Sequence, residues 1–213
     1  GIIVPAKPHT RFATNLVVAA KRGADGTWCA HRICQDLRAI NKLSLADNYK
    51  PPNLENLLHE VCKSKILACM DLSKAFYQCR VSESTQELLS FWDGRKQLWS
   101  YTRMCFGAQN ATSHFQRVIE HTMRGLEANV SCYVDDVCVH AQDSDQFLKV
   151  MKEVLQRLHQ VGLRVHPTKS VMGAKSIEYL GYLVGGGMLK PQQAKILAIA
   201  ELPKPTDKTG LRS

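Results

Sequence analysis

The chain carries the sequence V-S-C-Y-V-D-D-V-C-V-H at residues 130–140. Apolar residues flank two consecutive acids, Asp135 and Asp136. This pattern predicts two short β-strands joined by a tight turn, with the acids in the middle of the hairpin. Asp is a common turn former, so a solvated turn would account for an isolated pair. The apolar flanks at 133–134 and 137–139 argue against that interpretation, because an exposed turn does not need them.

A third acid, Asp71, ends the apolar segment that begins at Ile66. A carboxylate on a buried strand is costly unless something neutralises it. Mg²⁺ is one solution, since hard cations bind carboxylate oxygens and remove the repulsion between neighbouring acids. Three carboxylates on adjacent strands could hold two ions about 3.5–4 Å apart, the arrangement that promotes phosphoryl transfer.

Strand-like and helix-like segments are interleaved along the rest of the chain without a strict β-α-β order. This favours the α+β class with an antiparallel sheet. Asp143 or Ser144 is predicted to cap a helix that ends near Gly162. Asp25-Gly26 predicts a turn. The other predicted strands are 14–22, 28–35, 66–71 and 97–104, the other predicted helices are 53–62 and 110–126, and a second hairpin is predicted at 177–189.

Composition limits the class of protein. Of 213 residues, 45% are hydrophobic and 22% are charged, which excludes a disordered tail, a collagen and a disulfide miniprotein. The sequence contains no apolar run of the roughly 18 residues needed to cross a bilayer. The formal charge of +9 favours a polyanionic partner, either nucleic acid or an acidic membrane surface. Both ends of the sequence suggest a piece of a longer protein.

The eight cysteines do not suggest a zinc site, because no two are spaced as C-x-x-C. Most stand among apolar residues, as Cys132 and Cys138 do. We interpret them as buried free thiols in a reducing compartment.

Several segments together resemble reverse transcriptases of Ty3/gypsy-type long-terminal-repeat retrotransposons. Residues 133–136 (Y-V-D-D) resemble the Y-x-D-D box of these enzymes, and 71–78 (D-L-S-K-A-F-Y-Q) resemble their first catalytic box. Residues 106–116 (F-G-A-Q-N-A-T-S-H-F-Q) resemble a third box, with Thr112 where the family usually has Pro. Further matches follow the family order at 25–28, 32–42, 162–169 and 179–182. The resemblance therefore extends over nearly the whole chain.

The resemblance implies a right-hand polymerase with interleaved fingers and palm, and an antiparallel palm sheet with helices packed on one face. Fingers are expected at 1–45 and 79–110, and palm at 46–78 and 111–190. Residues 191–213 would only begin a thumb or connection. RNase H, integrase and protease domains would lie outside this sequence.

By the same resemblance, Asp71, Asp135 and Asp136 are the catalytic carboxylates. Together with the backbone carbonyl of Leu72 they would hold two Mg²⁺ ions, or Mn²⁺ in their place. The implied reaction is attack of a primer 3′-hydroxyl on the α-phosphate of a deoxynucleoside triphosphate. Lys169 is a candidate general acid for the pyrophosphate that leaves, and an ordinary surface lysine is the alternative.

The implied nucleotide site is built mainly from cations and aromatic rings. Phe76 corresponds to the aromatic gate that excludes a ribose 2′-hydroxyl, although a core role would also explain a Phe there. Backbone N–H groups of Lys74 and Ala75 would face the phosphates. The other implied nucleotide-binding residues are Lys21 or Arg22, of which alignment on Trp28 favours Arg22, together with Arg32, Phe106 and Gly107.

The partners implied are an RNA or DNA template with its primer, and no membrane. The expected location is intracellular, in a cytoplasmic retroelement particle or the nucleus, since no secretion signal is seen. One alternative is a decayed transposon fragment that binds nucleic acid without catalysis. A metal-dependent nuclease is a third interpretation of the same acids. The intact triad favours the polymerase.

Overall fold

We describe the fold from a computed structural model, which covers residues 1–22, 28–193 and 196–197. The strands are β1 (Ile3–Pro5), β2 (Leu16–Arg22), β3 (Trp28–Gln35), β4 (Ile66–Asp71), β5 (Ser90–Trp92), β6 (Leu98–Tyr101), β7 (Val130–Tyr133), β8 (Asp136–Ala141), β9 (Val171–Ala174), β10 (Ile177–Tyr179), β11 (Tyr182–Gly185) and β12 (Met188–Pro191). The helices are α1 (Arg38–Leu43), α2 (Leu54–Cys62), α3 (Ala75–Gln78), α4 (Glu83–Leu88), α5 (Ala111–Thr122) and α6 (Ser144–Gln160). A 3₁₀ turn spans Pro167–Lys169.

A four-stranded antiparallel sheet in the order β7-β8-β4-β9 forms the centre of the molecule. Successive residues of a strand point to opposite faces. On one face, Met70 and Val139 pack with Phe115 and Ile119 of α5 and with Val154 of α6. This apolar layer is the largest core of the described structure.

The opposite face is covered at one end by α2 and by the small antiparallel sheet β10-β11-β12. Leu67 and Cys138 pack there with Val61, Tyr179 and Val184. The antiparallel sheet and the packing of the long helices α5 and α6 on one face agree with the fold expected from the sequence. The expected fold had helices on one face only, whereas α2 packs on the second face.

Two further sheets lie outside this centre. Strands β2 and β3 form a two-stranded ribbon, and β1-β6-β5 form an antiparallel sheet around Phe91 and Tyr101. The predicted helices and most predicted strands are present, and the Asp143 side chain caps α6 by accepting from the Gln146 N–H. The hairpin expected at 177–189 is a three-stranded meander, because a second turn at 186–187 adds β12. The predicted turn at Asp25-Gly26 lies outside the described residues.

Candidate active site

Asp71 and Asp136 face each other across the central strands β4 and β8. The next pair along this ladder is Leu72 with Asp135, and the Leu72 N–H donates to the Asp135 carbonyl at 2.9 Å. Hydrogen-bonded and non-hydrogen-bonded positions alternate in antiparallel sheets, so Asp71 and Asp136 occupy a non-hydrogen-bonded position. Side chains approach most closely at such positions. The register therefore brings Asp71 and Asp136 together although they are 65 positions apart in sequence.

The closeness of the acids affects the pKa of Asp136. Burial raises the pKa of Asp136 to about 6, and repulsion from Asp135 and Asp71 adds to the effect. Lys169 opposes the shift in the pKa of Asp136. Its Nζ lies 3.7 Å from Oδ2 of Asp71, in an ion pair that is partly exposed to solvent. The predicted triad and Lys169 thus form one electrostatically coupled group.

Asp135 lies in a two-residue turn between Tyr133, the last residue of β7, and Asp136, the first residue of β8, which pair with each other. The residue before it, Val134, has a φ of 53°. This left-handed conformation is rare for a β-branched side chain and costs on the order of 1–3 kcal/mol. The backbone of Asp71 is also held, because its carbonyl accepts from the His166 N–H at 2.7 Å.

The acids provide the oxygen donors that Mg²⁺ prefers, and a cation between them would relieve their repulsion. Their donor chemistry therefore fits the divalent metal expected from the sequence. Within residues 1–22, 28–193 and 196–197, however, no three His, Cys, Asp or Glu side chains are arranged as a ready metal-binding group. Lys169 places a positive charge beside Asp71.

The segment after Asp71 turns sharply. Lys74 is left-handed, with a φ of 49°, and stands immediately before the short helix α3 that begins at buried Ala75. Phe76 is partly buried against the apolar core, and its ring centroid lies 5.2 Å from that of Phe106 and 6.0 Å from that of Phe115. Phe76 therefore contacts both the core and the predicted pocket residue Phe106.

Gly107 follows Phe106 with a φ of 93° and accepts a hydrogen bond at its carbonyl from Asn41 at 2.8 Å. A side chain at this φ would be strained, which explains the glycine. The predicted phosphate-binding cations Lys21, Arg22 and Arg32 belong to the ribbon of β2 and β3, where Arg32 pairs with Ala19. Their side chains lie outside what the structure describes.

Gln116 contributes to the site although the sequence analysis assigned it no role. It is fully buried, and its side chain contacts the turn that carries Asp135. A signal was present, because position 116 adjoins Phe115 and lies one helical turn from Ile119 on a predicted apolar face. A polar residue among such neighbours must find hydrogen-bond partners.

Residues 21–184 match the family model described as "Reverse transcriptase (RNA-dependent DNA polymerase)". The match covers more than half of the chain, so the chain belongs to this family. The resemblance predicted from the sequence motifs is thereby confirmed.

Polyproteins of transposons are among the relatives that match this chain. The chain is 30% identical over 208 residues to the "Retrovirus-related Pol polyprotein from transposon gypsy" of Drosophila melanogaster, covering 96% of this chain and 20% of that protein. It is 28% identical over 182 residues to the "Transposon Tf2-3 polyprotein" of Schizosaccharomyces pombe, covering 85% of this chain and 14% of that protein. The chain thus spans about a fifth or less of these relatives.

Solved structures show the same fold. The foamy viral protease-reverse transcriptase dRH in complex with double-stranded DNA matches with a TM-score of 0.87 and 20% identity, over 99% of this chain and 36% of that one. The same viral protein with an RNA/DNA hybrid matches with a TM-score of 0.82 and 20% identity, over 100% of this chain and 27% of that one.

Among the described residues, none of the helices has both the length and the apolar character needed to span a membrane.

Proposed function

We propose that this chain is the core of an RNA-directed DNA polymerase, which adds deoxynucleotides to a primer 3′-hydroxyl. The observation that supports the proposal most strongly is the cross-strand pair of Asp71 and Asp136, with Asp135 in the adjoining turn. These are the acids of the two family boxes, and no apolar packing role requires them. The division into fingers at 1–45 and 79–110 and palm at 46–78 and 111–190 belongs to the same proposal.

In the proposed site, Asp71, Asp135, Asp136 and the carbonyl of Leu72 hold two divalent cations. Cations bound there would stabilise negative charge on the phosphate and lower the pKa of the attacking hydroxyl. Catalysis by the chain itself then consists of positioning and charge stabilisation rather than covalent chemistry.

Other groups bind and select the nucleotide. The N–H groups of Lys74 and Ala75 donate to the phosphates at the sharp turn before α3. Phe76 presents its ring toward the sugar and leaves no room for a 2′-hydroxyl. Lys169, already beside Asp71, protonates the pyrophosphate that leaves. The template and its primer, as RNA or DNA, bind along the same surface of this basic chain.

The test is primer extension on poly(rA)/oligo(dT), with this chain and with a longer protein that carries it. Asp135→Asn keeps the shape of the side chain and removes its charge. We expect extension to fall by at least about 10³-fold, the size of a major electrostatic contribution.

Asp145→Asn is the matched control, because Asp145 is exposed in the first turn of α6. It should extend primers as the parent does. Near-parental extension by Asp135→Asn would refute the catalytic assignment. Binding of primer–template without extension by the longer parent protein would instead support the decayed, binding-only alternative.

A further inference from the structure

The turn that carries Asp135 is stabilised by a side chain from α5. The N–H of left-handed Val134 donates to Oε1 of Gln116 at 2.6 Å. A strained backbone conformation persists only where its surroundings fix it. This hydrogen bond is therefore a direct means of holding the backbone from which Asp135 projects.

The remaining polar atoms of the Gln116 amide are also used. Its Nε2 donates to the Cys132 carbonyl at 3.0 Å and to Oε1 of Glu120 at 2.7 Å. The backbone on either side of Tyr133 thus presents one acceptor and one donor to the same side chain. A carboxamide satisfies both, whereas a carboxylate can only accept. The chemistry of this position therefore requires an amide.

Glu120 extends the contact one helical turn along α5 to a remote part of the chain. Its second carboxylate oxygen accepts a hydrogen bond from the Tyr49 hydroxyl. The same hydrogen bond raises the pKa of Tyr49. Glu120 thereby keeps one oxygen aimed at Gln116 and the other at Tyr49, which restricts the rotation of its carboxylate.

Tyr49 is itself anchored. Its N–H donates to Oδ1 of Asp47 at 3.0 Å, and Arg117 binds Oδ2 of Asp47 at 2.6 Å. The Arg117 guanidinium lies 4.8 Å from the centre of the Tyr49 ring. The Asp47 N–H donates to Oδ1 of Asn110 at 3.0 Å, which ties this segment to the start of α5.

We propose that Gln116 is a positioning residue for Asp135, and that Glu120 and Tyr49 orient its amide. This inference rests on the proposed polymerase function. Gln116 is fully buried, and its side chain is hydrogen-bonded to the backbone on either side of Tyr133. Its effect passes through the Val134 backbone to the carboxylate that follows, and small displacements of such a group are costly in rate.

Hydrogen exchange tests the positioning without requiring catalysis. Gln116→Met keeps a side chain of similar length and removes all three hydrogen bonds. We expect the Val134 amide to exchange at least about tenfold faster, since its partner is lost. Gln156→Met is the control, because Gln156 is exposed on α6, and it should leave exchange at Val134 unchanged.

Steady-state kinetics in the longer protein separate positioning from binding. We expect kcat to fall about 30-fold in Gln116→Met, with a change below about threefold in KM for primer–template. Tyr49→Phe removes only the outermost hydrogen bond and should lower kcat about threefold. Parental exchange at Val134, or a loss confined to KM, would overturn the proposal.

A charge swap gives a second test, which also serves if Gln116→Met does not fold. Gln116→Glu alone places a second carboxylate against Glu120 and should lower kcat strongly. Adding Glu120→Gln removes this repulsion and lets the carboxylate at 116 accept from Val134 and from the new amide at 120, while the Cys132 carbonyl stays without its donor. We therefore expect the double variant to recover kcat only in part, by about threefold over Gln116→Glu. No recovery would contradict the proposal, and absent extension by the parent would refute the polymerase function instead.

Discussion

The two faces of the central sheet are built from the same strands and differ sharply in chemistry. One face presents Met70, Val137 and Val139 to α5 and α6 and carries no charge. The other presents Asp71 and Asp136 at one end and the buried His140 toward the other. Alternation along a strand separates the two sets completely. The apolar face thus stabilises strands whose opposite face bears mutually repelling acids.

The comparison shows why acids are tolerated here. Burial and repulsion raise the pKa of Asp136, which means that its ionised form costs the folded state free energy. The apolar layer offsets this cost because its residues, such as Phe115 and Ile119, are fully buried.

Phe115→Ala should be the most destabilising of these changes. Phe115 is fully buried in the apolar layer, so its loss removes a large contact area and leaves a cavity. We expect a loss of about 3–5 kcal/mol in the free energy of unfolding, measured by urea denaturation. Leu148→Ala, at a side chain that is 64% exposed on α6, should cost far less. Equal losses would mean that the layer does not dominate stability.

His140 offers a test of the polar face, because its burial should make the stability of the fold depend on pH. Its ring nitrogens lie 3.2 Å from the hydroxyls of Ser64 and Ser131, and burial lowers its pKa to about 4. An unfolded histidine binds a proton near pH 6.5, so the unfolded state takes up more protons between pH 6.5 and 4. His140 should therefore contribute stability above pH 6.5, and about 3 kcal/mol of it should be lost as pH falls to 4.

The check on this prediction is the pH dependence of unfolding in His140→Gln, which should lack that component. His159→Gln removes an exposed histidine of α6 and should retain the parental dependence. The same slope in parent and His140→Gln would show that His140 is not buried in its neutral form.

Phe76 contacts both the apolar core on one face of the sheet and Phe106, a residue of the proposed nucleotide pocket. If its ring excludes a ribose 2′-hydroxyl, Phe76→Val should favour ribonucleotides. We expect the ratio of kcat/KM for dNTP over NTP to fall at least about tenfold, or about 1.4 kcal/mol. Lower activity with an unchanged ratio would assign Phe76 to the core alone.

Much of this architecture follows from local pattern. The period of apolar residues predicts α5 and α6, and the side chain of Asp143 caps the helix that it was predicted to cap. The acids were predicted as a group from their apolar flanks and from family motifs. The structure then places Asp71 opposite Asp136, a pairing that their separation of 65 positions in sequence could not specify.

What the sequence could not predict depends on contacts between remote segments. The bond from Tyr49 to Glu120 joins residues 71 positions apart, and no periodicity indicates it. The third strand of the meander at 177–191 was missed because the sequence analysis assigned 177–189 to one hairpin, whereas a turn at Gly186 and Gly187 leads into a further strand. Gly185, Gly186 and Gly187 all have positive φ, and a Cβ on Gly185 would lie 2.2 Å from the Lys175 carbonyl oxygen.

We expect the carboxylates to destabilise the fold until a cation binds them. The most direct measurement is the thermal unfolding of the parent, Asp136→Asn and Asp145→Asn at pH 7.5, in EDTA and with Mg²⁺ alone. The pKa of Asp136 is raised from 3.8 to about 6, so the cost of its charge is present above pH 6 and absent below about pH 4.

In EDTA, Asp136→Asn should be more stable than the parent by about 1 kcal/mol, after discounting for solvent screening, and its Tm should be a few degrees higher. Mg²⁺ should raise the Tm of the parent and of Asp145→Asn, and should have much less effect on Asp136→Asn. A less stable Asp136→Asn in EDTA, or an equal Mg²⁺ response in all three proteins, would contradict the account.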